Sequence, residues 1–183
     1  MSALIFVKPL SPFSVILFLL FSSCSLAEVD TSGSLREAIY SELERARPIA
    51  KYKHCVTAAS TTFEVNELIL LSVLMWESGY MNPLRKNNDG TFDHGFAQIN
   101  TVRETEIMQI GYTLDDMITS PCKNIMAAAF LLSREIKEAG DVWKGAANYH
   151  YDEGGDYPHN HHAYKRHVFA QYLSILTVAQ RNN

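Results

Sequence analysis

The sequence predicts one compact, mostly α-helical domain with a single small hairpin or extended loop. Three observations carry that expectation. Apolar residues recur at helical spacing along most of the chain, turn formers concentrate in one stretch at 82–98, and no internal repeat or low-complexity linker divides the chain.

The elements follow in order. Lys8 is the only charge before an apolar run from Phe13 to Phe21, and "SSCSLA" then ends on Ala27 with Ser25 two positions before it. A basic start, a short apolar run and a small-x-small exit describe a secretory signal peptide over residues 1–27. The run is shorter than the roughly 20 residues that cross a bilayer, so no transmembrane segment is expected after cleavage. Lipid attachment at Cys24 is a minor alternative. The mature chain, 28–183, would hold one folded domain over about 35–180. After a polar leader at 28–34, "SLREAIYSELERARPIAKY" carries Leu35, Ile39 and Leu43 at four-residue steps, with Pro48 near its end. A short helix is expected around Cys55–Thr62. "NELILLSVLMWESG" has the pattern of a buried helix, with Asn66 as N-cap and Gly79 just past its end.

"NNDGTF" contains an Asp-Gly turn signal for a hairpin. Its faint likeness to a calcium loop fails because Arg85 stands where the first Asp is needed. Helical pattern resumes at Val102–Ile110 and at Pro121–Glu138, with Gly140 just beyond. A helical piece at Trp143–Tyr151, a loop at Gly154–His162 and a final helix from His162 complete the expectation.

Charge and cysteine count bound the function. Loss of Lys8 with the signal leaves 15 basic and 20 acidic residues, a net charge of −5. No strongly basic surface exists overall, which argues against nucleic-acid binding. Cys55 and Cys122 remain as one disulfide pair suited to an exported protein, the alternative being two buried free thiols.

Glu77 is the residue out of place. At 100° per residue it shares a stripe with Leu70, Val73 and Leu74, so it leaves the core side of an apolar helix at the helix end. Apolar surroundings raise a carboxyl's pKa, and a protonated carboxyl near neutral pH is what a general acid requires. Rotation to solvent, or capping of a backbone group, is the competing reading of the helix alone.

Glu77-Ser78, then Gly95-Phe96-Ala97-Gln98-Ile99-Asn100, then Asn148-Tyr149-His150 behind Trp143 form three ordered motifs. In this order they resemble the lytic transglycosylases with a soluble-transglycosylase-type, lysozyme-like domain, over roughly residues 54–169. Cys55, the Asn87–Gly95 turn and Pro121-Cys122 further resemble the small specialised transglycosylases of type III and type IV secretion, conjugation and pilus assembly. The resemblance implies a lysozyme-like α+β fold and Glu77 as the single catalytic acid/base. It implies Ser78, Gln98, Asn100, Tyr149 and His150 as substrate-binding residues, with the Tyr149 hydroxyl close to Glu77. The partners it implies are peptidoglycan glycan strands and components of an envelope-spanning apparatus, in the periplasm. Phe96-Ala97 departs from the family's usual Leu-Met, which predicts a sugar-facing wall of different shape.

Rival readings remain open at this point. A lysozyme-type muramidase would use Asp93 as a second carboxylate, although Asp93 reads better as a loop-shaping or hydrogen-bonding group. A non-catalytic peptidoglycan-binding assembly factor would keep the cleft without turnover. His150, His159, His161, His162 and His167 raise a metal site, but loop histidines are usually solvated polar groups, so neither metal nor cofactor is expected.

Overall fold

The computed structural model describes residues 33–44, 47–77 and 84–181. Residues 1–27, Cys24, Ser78 and Gly79 lie outside them. Eight helices and a three-stranded antiparallel sheet occupy the described residues, in agreement with the mostly α, lysozyme-like expectation. They are α1 (Gly33–Glu44), α2 (Lys53–Phe63), α3 (Glu67–Glu77), β1 (Leu84–Lys86), β2 (Phe92–His94), β3 (Ile99–Asn100), α4 (Glu104–Ile107), α5 (Leu114–Thr119), α6 (Pro121–Ala139), α7 (Val142–Asn148) and α8 (Pro158–Arg181). Short 3₁₀ turns at Pro48–Tyr52, Thr101–Arg103 and Met108–Ile110 join them.

Helix α3 lies in the core. Every residue from Leu68 to Met75 is buried, so the helix is apolar on all sides and must be wrapped by others. Each of its large aliphatic side chains contributes about 1.5–3 kcal/mol by leaving water. Asn66 starts the helix as expected, its Oδ1 accepting from the amides of Leu68 at 2.9 Å and Ile69 at 3.3 Å. Helix α8 packs on α3 and α7, and α6 packs on α2 and α7. A Cβ on Gly145 would strike the backbone at Ile136, so α7 lies directly on α6 only because that residue is glycine.

The amphipathic run at 34–52 is not one helix. It divides into α1 and a separate 3₁₀ turn that opens on Pro48, because proline removes an amide and clashes with the preceding turn. Ile39, Tyr40 and Leu43 are buried from α1. Helix α5 was not expected; a capping box between Thr113 and Asp116 starts it. Helix α7 ends at Asn148 rather than Tyr151. Helix α8 starts at Pro158, so much of the loop expected at Gly154–His162 is helical. Proline is well suited to a first helical position, where its missing amide leaves no bond unmade, and that puts the His-rich segment on the first turns of α8.

Cys55 of α2 and Cys122 of α6 form a disulfide that closes 67 residues of sequence. Constraining so long a loop in the unfolded chain stabilises the fold by roughly 4 kcal/mol. Reduction, or Cys55→Ser with Cys122→Ser, is expected to lower Tm by about 10 °C in thermal unfolding.

Candidate functional site

The short sheet builds one wall of a cleft. Order β1-β2-β3 places Arg85 opposite Asp93, and Asp93 opposite Asn100. Directly opposed residues share a face, and all three of these line a cleft of about 560 Å³. The expected hairpin is present. The turn between β1 and β2 is closed by the Asn87 amide bonding to the Thr91 carbonyl at 2.9 Å, with Asp89 accepting from Thr91.

Glu77 reaches the cleft from the end of α3 and lines it with Gln98, Tyr149 and His150. Burial raises its pKa from 4.5 to about 7; the Tyr164 hydrogen bond is the main opposing influence, the Asp93 charge adds to the rise, and Arg85 subtracts from it. Near neutral pH this carboxyl therefore exists in both forms, able to give a proton and to take one back.

The hydroxyl bonded to Glu77 is that of Tyr164, which donates to Oε1 at 2.6 Å. The Tyr149 hydroxyl donates to the Ala97 carbonyl at 3.0 Å and lines the cleft with Glu77, near enough for the Glu77 charge to act on it. Tyr164 is buried on α8, and the His150 ring stacks on it, with centroids 4.6 Å apart and planes at 6°. A tyrosine at helical spacing in the last helix looks like any core aromatic, which is why sequence reasoning gave it no role at Glu77. Tyr164→Phe is expected to raise the Glu77 pKa, because the lost hydrogen bond favours the ionised form. A bond to a charged group contributes about 1.5–3 kcal/mol, so the basic limb of the pH–rate profile should move up by roughly one to two units.

The "GFAQIN" segment is pinned from behind. Asn124 on α6 accepts from the Ala97 amide at 2.8 Å and donates to the carbonyls of His94 at 2.9 Å and Met117 at 3.2 Å. Gly95 has φ +68, and a Cβ there would run into the Met117 carbonyl and the Asn124 side chain. Gln98, at φ 48, donates from Nε2 to the Gly95 carbonyl at 2.8 Å. It thus stabilises the loop and lines the cleft as well. Asn100 donates to Asp93 Oδ1 at 2.8 Å, so Asp93 is a hydrogen-bonded member of the sheet wall. Phe96 packs on Tyr52 with centroids 5.2 Å apart, and Ala97 is fully buried. The departure from Leu-Met therefore falls behind the described cleft lining rather than on it. Asn148 also lines the cleft, with a buried Oδ1 that has no hydrogen-bond partner among the described residues.

A family model described as "Transglycosylase SLT domain" matches residues 54–167. The chain belongs to that family. Membership places it among the lytic transglycosylases, whose substrate is peptidoglycan. Protein IpgF of Shigella flexneri is 25% identical over 130 residues, covering 70% of this chain and 86% of that protein. Invasion protein IagB of Salmonella typhimurium (strain SL1344) is 27% identical over 97 residues, covering 52% of this chain and 60% of that protein. A peptidoglycan-binding-like protein of Escherichia coli O157:H7 is 26% identical over 103 residues, covering 52% of this chain and 62% of that protein. In this SLT domain no described helix is long and apolar enough to cross a membrane.

Proposed function

We propose that the protein cleaves the β-1,4 bond between N-acetylmuramic acid and N-acetylglucosamine in peptidoglycan and leaves a 1,6-anhydro end. The observation that carries this reading is a single carboxyl, Glu77, held near neutral pKa at the cleft by burial. Protonated Glu77 gives its proton to the glycosidic oxygen as the bond to the muramoyl anomeric carbon breaks. The substrate's own 2-acetamido group stabilises the cationic centre, so no second protein carboxylate is required. Glu77, now a carboxylate, takes the proton of the muramoyl 6-hydroxyl while that oxygen bonds to the anomeric carbon. The proton count closes and no water is consumed.

Gln98, Asn100, Tyr149 and His150 would hold the sugars, with Ser78 beside Glu77 in sequence in the same role. Residues 1–27 would deliver the chain to the periplasm, where peptidoglycan lies. The narrower motif resemblance, together with a relative named as an invasion protein, supports local opening of the wall for an envelope-spanning apparatus.

A second reading rests on Asp93, which lines the same cleft and acts on Glu77 through its charge. As a second carboxylate it would make the protein a muramidase. Mass spectrometry of muropeptides released from purified sacculi separates the readings. Transglycosylation gives fragments lighter by one water than hydrolysis, and release equal to wild type by Glu77→Gln would remove both in favour of a non-catalytic binding protein.

A further inference from the structure

Past Tyr149 and His150, the segment "YDEGGDYPHNHH" has no role in the chemistry above beyond the cleft rim, yet it brings three metal-ligating side chains together. Glu153, His161 and His162 each offer a ligand atom, and these atoms all lie within 4.8 Å of one another. The set differs from the all-histidine group that the sequence suggested, because α8 begins at Pro158 and the turn before it delivers Glu153 to the first turns of the helix. We propose that Glu153, His161 and His162 form a binding site for a zinc-class divalent ion that ties the cleft-rim loop to α8.

Two features of the geometry support the assignment. The first is the hydrogen bond of His161, a buried ring whose Nδ1 lies 3.0 Å from the Tyr151 carbonyl. A carbonyl can only accept, so Nδ1 carries the proton and Nε2 keeps its lone pair. An imidazole whose other nitrogen is fixed by a backbone carbonyl is the usual arrangement behind a metal-ligating histidine, since it sets both tautomer and ring orientation. The second is the disposition of the rings. Those of His161 and His162 stand nearly perpendicular, with centroids 5.3 Å apart. Zn–N bonds of about 2.0–2.1 Å at a tetrahedral angle place two imidazole centroids about 5 Å apart. One oxygen of Glu153 meets Lys144 Nζ at 2.9 Å, which leaves the other for the ion. Two nitrogens, one carboxylate oxygen and a water make a four-coordinate set suited to zinc.

The site would act on the cleft from outside it. Tyr151 and Asp152 line the cleft, and the Tyr151 carbonyl holds His161. Three residues after His161 on the same helix comes Tyr164, the partner of Glu77. An ion bridging Glu153 to the start of α8 would fix this rim loop against the helix.

The test is direct titration of untagged, metal-free protein with Zn(II), with Co(II) absorption as a report on coordination geometry. The expected result is one ion per chain, tetrahedral Co(II) bands and a higher Tm in the presence of zinc. His162→Ala and Glu153→Gln, both at exposed positions, should each weaken zinc binding by at least about tenfold, whereas His159→Ala should bind as wild type does. Absence of stoichiometric binding at micromolar zinc would overturn the proposal. So would undiminished binding by His162→Ala and Glu153→Gln. None of these readouts depends on turnover, so the result stands apart from the fate of the transglycosylase reading.

Discussion

Glu77→Gln is expected to stop turnover and at the same time to stabilise the protein. The rate should fall by at least about 1,000-fold, because one residue serves as acid and then as base, and each role alone is worth about 10²–10⁴. The stability gain follows from linkage. The carboxyl ionises near 4.5 in the unfolded chain and near about 7 in the fold, so between those values the folded state binds the extra proton. Wild-type stability contributed by this group is fully present below pH 4.5 and is lost as pH rises through about 7. Glutamine does not titrate. The variant should therefore match or trail wild type at pH 4 and exceed it increasingly up to about pH 7, levelling off above that. The full difference is on the order of 3 kcal/mol, or roughly 6–12 °C in Tm. Thermal unfolding of both proteins from pH 4 to pH 8 measures it. A constant offset across that range would contradict a buried, protonated carboxyl.

Asn124→Ala is expected to be among the most damaging changes away from Glu77. One buried side chain satisfies the Ala97 amide and the carbonyls of His94 and Met117. Truncation leaves a buried donor and two buried acceptors without those bonds, at about 1–3 kcal/mol each. A loss of roughly 3–6 kcal/mol should lower Tm by more than about 10 °C. The same change releases the Gly95–Gln98 turn that backs the cleft, so residual activity at low temperature should also drop. A Tm within about 3 °C of wild type would show that this amide does not hold the turn.

What could be read from the residues, and what could not, divides along local and non-local lines. The buried helix α3, its Asn66 cap and the hairpin turn are written in short windows of sequence, and the motif order pointed to the family. Glu77 was conspicuous because a carboxylate at core spacing in an apolar helix is costly unless it has a use. Tyr164 was not, since its contact with Glu77 joins residues 87 apart in sequence and nothing in α8 marks the position. Asn124 hid for the same reason, as a single amide within an alanine- and leucine-rich helix. Helix α5 was overlooked although Thr113 and Asp116 carry a capping signal, because six residues are too few for a periodic pattern to stand out. The His-rich segment misled through its composition. Gly-Gly and clustered histidines suggested loop, whereas Pro158 in fact opens the last helix.

The central claim is that Glu77 drives an intramolecular displacement that uses no water. Digestion of purified sacculi in ¹⁸O-labelled water, followed by mass spectrometry of the released fragments, tests it most directly. The account predicts anhydro-muramoyl ends without label from wild-type protein and no such release above background from Glu77→Gln. Reducing-end fragments that carry ¹⁸O would contradict it and would point to hydrolysis instead.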